Sequence, residues 1–442
     1  MIAELALQSK TLGLLLVAFG SVLVIAIVFY HVAFSPMRAI PGPWYLRLTS
    51  LFVKYHEFHG TRRLWIHDLH LKYGPTVLLA PNEVSFASAS ALKQIYSSGG
   101  TGLPKDHMYS LFKAQGHTNL FTALDNKEVG EKRKQLSERY SNTSILKSPI
   151  LDVIKERAEA FATECRKTAS ADVYVALVLE RYWPLLQRIY KFLSHKPTKG
   201  GKPIDDYVWS SMSKTDYSEF SLMARLLHDK KMPVDAIASE CYDHITAGID
   251  TTGDTLCFLL WELSRPSQQE RVKRLREELV VGKSSGQPLD TLPYLNAMLQ
   301  EALRLWAPGM QSLPRNVPAG GREIDGHFVP AGTVVSCQSY TTHRYDDDVF
   351  QDADAFVPER WLNPDGDSER GRLFFAFGSG ARTCIGRHLA MAEMRALVHA
   401  IYSKMRTVPA QDMVASMEFN DQIMTTRPEG LCCKITFEPL TD

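Results

Sequence analysis

A chain of 442 residues with 45% of them in the hydrophobic set can bury a large core, which excludes an intrinsically disordered protein. A formal net charge of +1 gives no bulk attraction for nucleic acid or any other highly charged partner. The seven cysteines, at 165, 241, 257, 337, 384, 432 and 433, form no CxxC pair, which fits a reducing compartment and argues against a disulfide framework.

From Thr11 to Tyr30 the chain runs twenty residues without a charge, enough as a helix to span about 30 Å of hydrocarbon. This predicts a transmembrane anchor over residues 11–31. A cleaved signal peptide or a buried helix are the alternatives, but the run exceeds a usual signal core and basic residues follow it. Arg38, Arg47 and Lys54 come after the span, while Glu4 and Lys10 balance before it. Residues 1–10 are then lumenal and the bulk of the chain faces the cytoplasm. Residues 32–44 form a linker ending in Ile40-Pro41-Gly42-Pro43-Trp44, a stiff non-helical hinge. Residues 45–442 read as one unit without internal repeat or low-complexity linker.

Within it, Thr76 to Ala80 and Glu83 to Ala87 read as strands and Leu64 to Lys72 as helix, while Glu128 to Arg166 has helical apolar spacing. The longest predicted helix runs from Pro233 to Arg265, with proline at its start and Pro266 beyond its end. Its interior holds Ala247-Gly248-Ile249-Asp250-Thr251-Thr252, where a glycine, an acid and hydroxyls are each locally unfavourable. That is either an exposed polar stripe or a place where a planar cofactor and oxygen approach the backbone, with Asp250 and Thr251 relaying protons. A further helix, Tyr294 to Trp306, sets Glu301 and Arg304 at i,i+3 on one face. Arg360, in Phe356-Val357-Pro358-Glu359-Arg360-Trp361, can complete a Glu-Arg-Arg network with them.

The segment Phe377-Gly378-Ser379-Gly380-Ala381-Arg382-Thr383-Cys384-Ile385-Gly386 fills FxxGxRxCxG without a departure. A thiolate that ligates iron needs backbone N–H groups aimed at its sulfur, and Gly380 and Gly386 permit so tight a loop. Phe377 shields the sulfur, Arg382 can pair with a carboxylate of a ligated macrocycle, and the helix starting near Arg387 points its positive end at the anion. Arg387 to Arg406 reads as that helix, with His388 and His399 as packing or surface residues. Met424 to Phe437 reads as strands around a tip at Thr426 to Gly430, and Cys432 and Cys433 as strand residues.

The cysteine decapeptide resembles the haem-binding signature of the cytochrome P450 family, and the order ExxR, PERW and cysteine loop matches it. The resemblance covers nearly the whole chain and is to microsomal, fungal-type haem-thiolate monooxygenases. It implies a mainly α fold with a smaller β region and haem b held between the long helix and the loop by a Cys384 thiolate. It further implies Arg133, Arg315 and Arg382 on the haem propionates, and Asp250 and Thr251 as catalytic proton donors. Glu301, Arg304 and Arg360 would form the structural network. Substrate contacts would come from Thr101 to Asn119, Thr246 to Thr251, Gly309 to Leu313 and Met424 to Arg427. The implied partners are O2, a lipophilic secondary metabolite and an NADPH-cytochrome P450 reductase, with cytochrome b5 as a second electron donor. The implied setting is the endoplasmic reticulum membrane, and nucleic acid is not among the partners. A basic face from Lys132 to Arg139 with Arg387 is either a reductase contact or a solvated helix surface.

Two departures qualify the resemblance. Val129 stands where the family usually places a tryptophan or histidine, a lost propionate contact of about 1.5–3 kcal/mol. The region 173–231 is shortened where the family has helices that roof the substrate pocket. Two other readings follow: a haem-binding membrane protein whose incomplete roof impairs turnover, and a membrane-anchored helical scaffold without haem.

Overall fold

Proline brackets and apolar periodicity set most element boundaries. The computed structural model describes residues 15–16, 18–23, 26, 28–30, 34–167, 171–172, 203–214, 218–229, 231–422 and 424–440. Its longer helices are α1 (Leu51–Phe58), α2 (Arg62–Tyr73), α3 (Ala89–Tyr96), α4 (Asn126–Leu136), α5 (Ser148–Lys167), α6 (Pro203–Met212), α7 (Leu222–Asp229), α8 (Val234–Ser264), α9 (Gln269–Ser284), α10 (Pro293–Leu305) and α11 (Arg387–Tyr402). The strands are β1 (Thr76–Ala80), β2 (Glu83–Phe86), β3 (Ala171–Asp172), β4 (Arg315–Asn316), β5 (Arg322–Ile324), β6 (His327–Val329), β7 (Val334–Cys337), β8 (Met405–Pro409), β9 (Phe419–Asp421), β10 (Thr426–Pro428) and β11 (Lys434–Pro439). The protein is mainly helical with a smaller β region, as the sequence predicts.

A four-stranded sheet has the order β1-β2-β7-β4, with β2 and β7 parallel and the other pairs antiparallel. All of β1 is buried because strand alternation sends its side chains to two cores. Val77 and Leu79 meet Ile66 and Leu69 of α2, while Leu78 joins Val84, Phe86 and Ile95. The proline hinge docks beside this strand through Leu78 N–H donating to the Pro41 carbonyl at 2.8 Å. A second sheet has the order β3-β11-β8, and β9 pairs with β10.

The principal core lies where α8, α9, α10 and α11 converge. Leu256, Leu259, Leu260 and Leu263 pack there with Leu295, Met298, Leu299, Val398 and Ile401, all at helical spacing. It anchors the C-terminal half of α8 and the helix that follows the cysteine loop.

Several expectations are corrected. Among the described residues no helix is long and apolar enough to cross a membrane, and the expected span over 11–31 lies in part outside the described residues. Helix α11 stops at Tyr402, because Met405 to Pro409 pairs with β11 as a strand. Thr426 to Pro428 is a buried strand rather than a tip, and Cys432 and Cys433 precede β11. Glu128 to Arg166 is broken at Ser137 to Ser141, where Ser141 caps the next turn by accepting from Ser144 N–H. Within 173–231, residues 173–202, 215–217 and 230 lie outside the described residues, and α6 and α7 occupy most of the rest. Val208 and Leu226 of these helices pack with Ile237, Ala238 and Cys241 of α8.

Candidate active site

Tight backbone geometry shapes the cysteine loop. Gly380 has φ +70, and a Cβ there would lie 2.0 Å from the Tyr96 carbonyl oxygen, so only glycine fits. Cys384 N–H donates to the Phe377 carbonyl at 2.8 Å, closing the loop. The backbone N–H groups of Gly386 and of Arg387, which opens α11, favour the charged form of the Cys384 sulfur. Cys384 is the one exposed cysteine among the described residues. Protein nevertheless surrounds it closely, so burial pushes the thiol up despite the N–H groups of Gly386 and Arg387 and the charges of Arg133 and Arg387. Phe377 is half-buried against the main core, with the Arg387 guanidinium 5.7 Å from its ring centre.

Helix α8 supplies a matching opening. Ala236 to Tyr242 and Asp254 to Leu260 are buried, yet Ala247, Gly248 and Ile249 between them are exposed. Ala247 and Gly248 leave the backbone of the window accessible. Ile385, next to the cysteine, packs against a cluster that holds Cys241 and Tyr242 of α8 and Val129 and Leu136 of α4. Asp250 and Thr251 stand at the edge of the window, and the Thr251 hydroxyl donates to the Ala247 carbonyl at 2.6 Å.

The Glu-Arg-Arg network forms as expected and reaches further. Glu301 and Arg304 are both fully buried and joined by two bonds of 2.8 Å, while Arg360 donates to Glu301 at 3.1 Å. The Glu301 carboxylate also accepts from Val357 N–H at 3.0 Å and Trp361 Nε1–H at 2.9 Å. Burial raises its affinity for a proton, but the bonds and charges of Arg304 and Arg360 outweigh that and hold the carboxyl below its ordinary range. Arg304 donates to the carbonyls of His343, Ala353 and Ala355. His343 is fully buried, and burial drops its pKa to about 3. Neutral, it accepts Phe375 N–H at Nε2 (2.7 Å) and bonds the Arg304 carbonyl through Nδ1 (2.9 Å). The network is thereby pinned to the residue that leads into the cysteine loop.

A family model described as Cytochrome P450 matches residues 172–433. The chain belongs to the cytochrome P450 family. It is similar to the cytochrome P450 monooxygenase cypX of Dothistroma septosporum, at 29% identity with 92% of each chain covered. It is also similar to stcB of Emericella nidulans, at 28% over 82% of this chain and 80% of that one. The monooxygenase poxC of Penicillium oxalicum is 30% identical over 85% of this chain and 84% of its own. The chain is accordingly an oxidoreductase of the cytochrome P450 monooxygenase class.

Cytochromes P450 carry haem on a cysteine thiolate, and the cations around the cysteine loop test the fit. Lys105, Arg133, Arg315 and Arg382 come together from the segment after α3, from α4, β4 and the loop. Burial and then the charges of Arg315, Arg382 and Arg133 drive the Lys105 pKa well below its ordinary value. Burial and then Arg315 lower Arg382 to about 10. Their hydrogen bonds go to neutral groups. Lys105 donates to the Phe121 carbonyl, Arg133 to the Thr383 carbonyl at 2.7 Å, and Arg315 to the Tyr109 hydroxyl at 3.2 Å. Arg382 is committed to the Ala123 and Leu124 carbonyls and to Asn126 Oδ1, each at 2.7 Å, so it braces the loop against the start of α4. Clustered cations held by neutral acceptors suit a dianionic group, as the two haem carboxylates are.

The sequence reading held Lys105 and Tyr109 only as part of the Thr101 to Asn119 substrate region and missed His343. Pro104-Lys105-Asp106 carries no distinguishing pattern, and one buried histidine among fourteen has no spacing signature. Val129 is buried in an apolar cluster with Leu120 and Leu136, consistent with its lacking a polar role.

Proposed function

We propose that this cytochrome P450 inserts one oxygen atom from O2 into a lipophilic small molecule of secondary metabolism, with electrons from NADPH through a reductase. The observation that carries the reading is the exposed Cys384 in the glycine-shaped loop, with the N–H groups of Gly386 and Arg387 favouring its charged form, together with the exposed window in α8. Bound through that sulfur, haem supplies dioxygen activation. Cys384 holds the iron, and the Gly386 and Arg387 N–H groups temper the charge on its sulfur. Arg133, Arg315 and Arg382, with Lys105 beside them, would hold the carboxylates, and Arg382 also secures the loop. Gly380 and Gly386 keep the backbone close, and Phe377 limits water at the sulfur. Asp250 and Thr251 hold and pass protons at the window. The test is the reduced, carbon monoxide-treated spectrum, followed by NADPH consumption with a reductase across a panel of lipophilic compounds. A missing red-shifted Soret band refutes the thiolate assignment.

Two variants check the residue roles. Thr251→Ala is expected to leave haem binding intact while diverting reducing equivalents to hydrogen peroxide; tight coupling in that variant argues against a proton role. Lys105→Met is expected to speed haem transfer to an acceptor protein by about tenfold to a hundredfold, the equivalent of one charge-assisted bond. An unchanged transfer rate removes Lys105 from the carboxylate site.

Membrane attachment in the endoplasmic reticulum, with the catalytic unit facing the cytoplasm, belongs to the same proposal. Leu15, Leu16, Phe19, Val22, Phe29 and Tyr30 are exposed on helical backbone, and Trp44, Leu51, Tyr55 and Phe58 are exposed apolar residues further along the chain. For the reductase, and for cytochrome b5 as a second donor, the exposed Lys134 and Arg387 are the candidate contacts. Lys132 is instead drawn into an ion pair with buried Glu240 at 3.1 Å.

One observation favours the alternative of a haem protein with impaired turnover. The comparison with cypX runs over 480 positions against 442 residues here, so that relative has residues this chain lacks. A protein with the thiolate spectrum but no substrate-dependent NADPH consumption supports this second reading.

A further inference from the structure

Strand β10 carries a buried cation to the edge of the α8 window. Thr426 N–H donates to the Pro308 carbonyl at 2.8 Å, and Arg427 is in register with Asn420 of β9, so its backbone is fixed on both sides. The Arg427 side chain is 0% exposed, and its Nη2 lies 3.9 Å from Asp250 Oδ2 and 3.8 Å from Asp254 Oδ2. Four residues apart on a helix, the two aspartates share a face. They differ in access: the Asp254 side chain is 5% exposed and that of Asp250 18%.

Desolvation penalises net charge in such a place. One guanidinium with two ionised carboxylates is net negative, whereas one guanidinium with two carboxyls sharing a proton is neutral. The proton belongs with the more enclosed carboxyl. Burial pushes Asp254 up to about 7, with Arg427 opposing and Asp250 adding to the rise; these two are the charged groups acting on it.

We infer that Asp250, Asp254 and Arg427 form a one-proton unit, in which Asp254 stores the proton that Asp250 delivers toward Thr251 and Arg427 is the positioning residue. The inference rests on the monooxygenase reading above. In the stored state Asp254 is protonated and Asp250 ionised. The proton then moves to Asp250, leaving Asp254 ionised, and the guanidinium balances one carboxylate in either arrangement. When Asp250 gives its proton up toward Thr251, both carboxyls are ionised. Asp250, the more open of the two, then takes a proton from solvent and neutrality returns.

The test uses the full-length holoprotein and the variants Asp254→Asn, Arg427→Lys and Arg427→Gln, all carrying Glu393→Gln, because burial pushes the Glu393 carboxyl up to about 7 as well. The first readout is the infrared C=O band of a protonated carboxyl, followed through neutral pH. The second is the share of NADPH converted to hydrogen peroxide with a reductase and no added substrate, measured over the same range. The parent Glu393→Gln protein is expected to lose the band and change its peroxide share as pH rises through about 7. Asp254→Asn is expected to lack the band, release more peroxide and lose the pH step. Arg427→Lys should retain the step that Arg427→Gln loses. A band and step that persist in Asp254→Asn overturn the inference. So does a higher peroxide share with the step intact, because that is a packing effect. Absence of the thiolate spectrum from wild type defeats the monooxygenase reading instead, and the infrared band still decides whether Asp254 holds the proton.

Discussion

Cys384→Ser is expected to abolish the red-shifted Soret band of the reduced, carbon monoxide-treated protein and, with it, reductase-dependent NADPH turnover. Serine preserves the size of the side chain and the loop bond from residue 384 N–H to the Phe377 carbonyl, so the fold is retained. What disappears is a soft, electron-donating ligand. The surroundings make the loss severe. Burial pushes the thiol up against the pull of Gly386 N–H, Arg133 and Arg387, so an anion here depends on a metal partner. An alkoxide is harder still to form. Retention of the thiolate spectrum in Cys384→Ser would refute the assignment.

The second large effect is structural. Glu301→Gln is expected to destabilise the protein by about 3–5 kcal/mol, because it leaves the buried Arg304 guanidinium without its carboxylate. Against a typical total of about 5–15 kcal/mol, that is enough to cut the yield of soluble holoprotein sharply. Urea unfolding of the variant checks it, and a wild-type midpoint would refute the role. Replacing Arg360 should cost less, since it makes a single 3.1 Å bond to Glu301 where Arg304 makes two of 2.8 Å. The pH dependence follows from the same carboxyl. Its folded pKa is depressed, so the stabilisation is present above its unfolded value and is lost as pH falls through the folded one. Acid should therefore release the Phe375 end of the cysteine loop by weakening the anchor of Arg304 and His343.

The two predictions separate what each part of the site does. Cys384 provides chemistry, and its removal leaves a folded shell. Glu301 provides position, and its loss acts on the loop through Arg304, His343 and Phe375. Helix α8 combines both roles: its C-terminal half is core, while its middle is opened by small residues.

Much of this was local information. The boundaries of α8 and α10 follow from proline and apolar spacing, and β1 from a five-residue β-like run. The FxxGxRxCxG decapeptide and the order ExxR, PERW and cysteine determined the haem-thiolate reading, because the cysteine and the residues that shape its loop lie within ten positions of one another. Where two local readings competed, tertiary pairing decided. Met405 continues a helical pattern from Arg387, yet the hydrogen-bonding edge of β11 made it a strand. The identity of Arg427 carried no sign that it would reach Asp250 and Asp254, and Arg382 no sign that it would bind the carbonyls of residues 123 and 124. Periods of 3.6 and 2 record which face of an element is apolar. They do not record which buried charges meet across the fold, since those meetings depend on elements that are distant in the chain and adjacent only after packing.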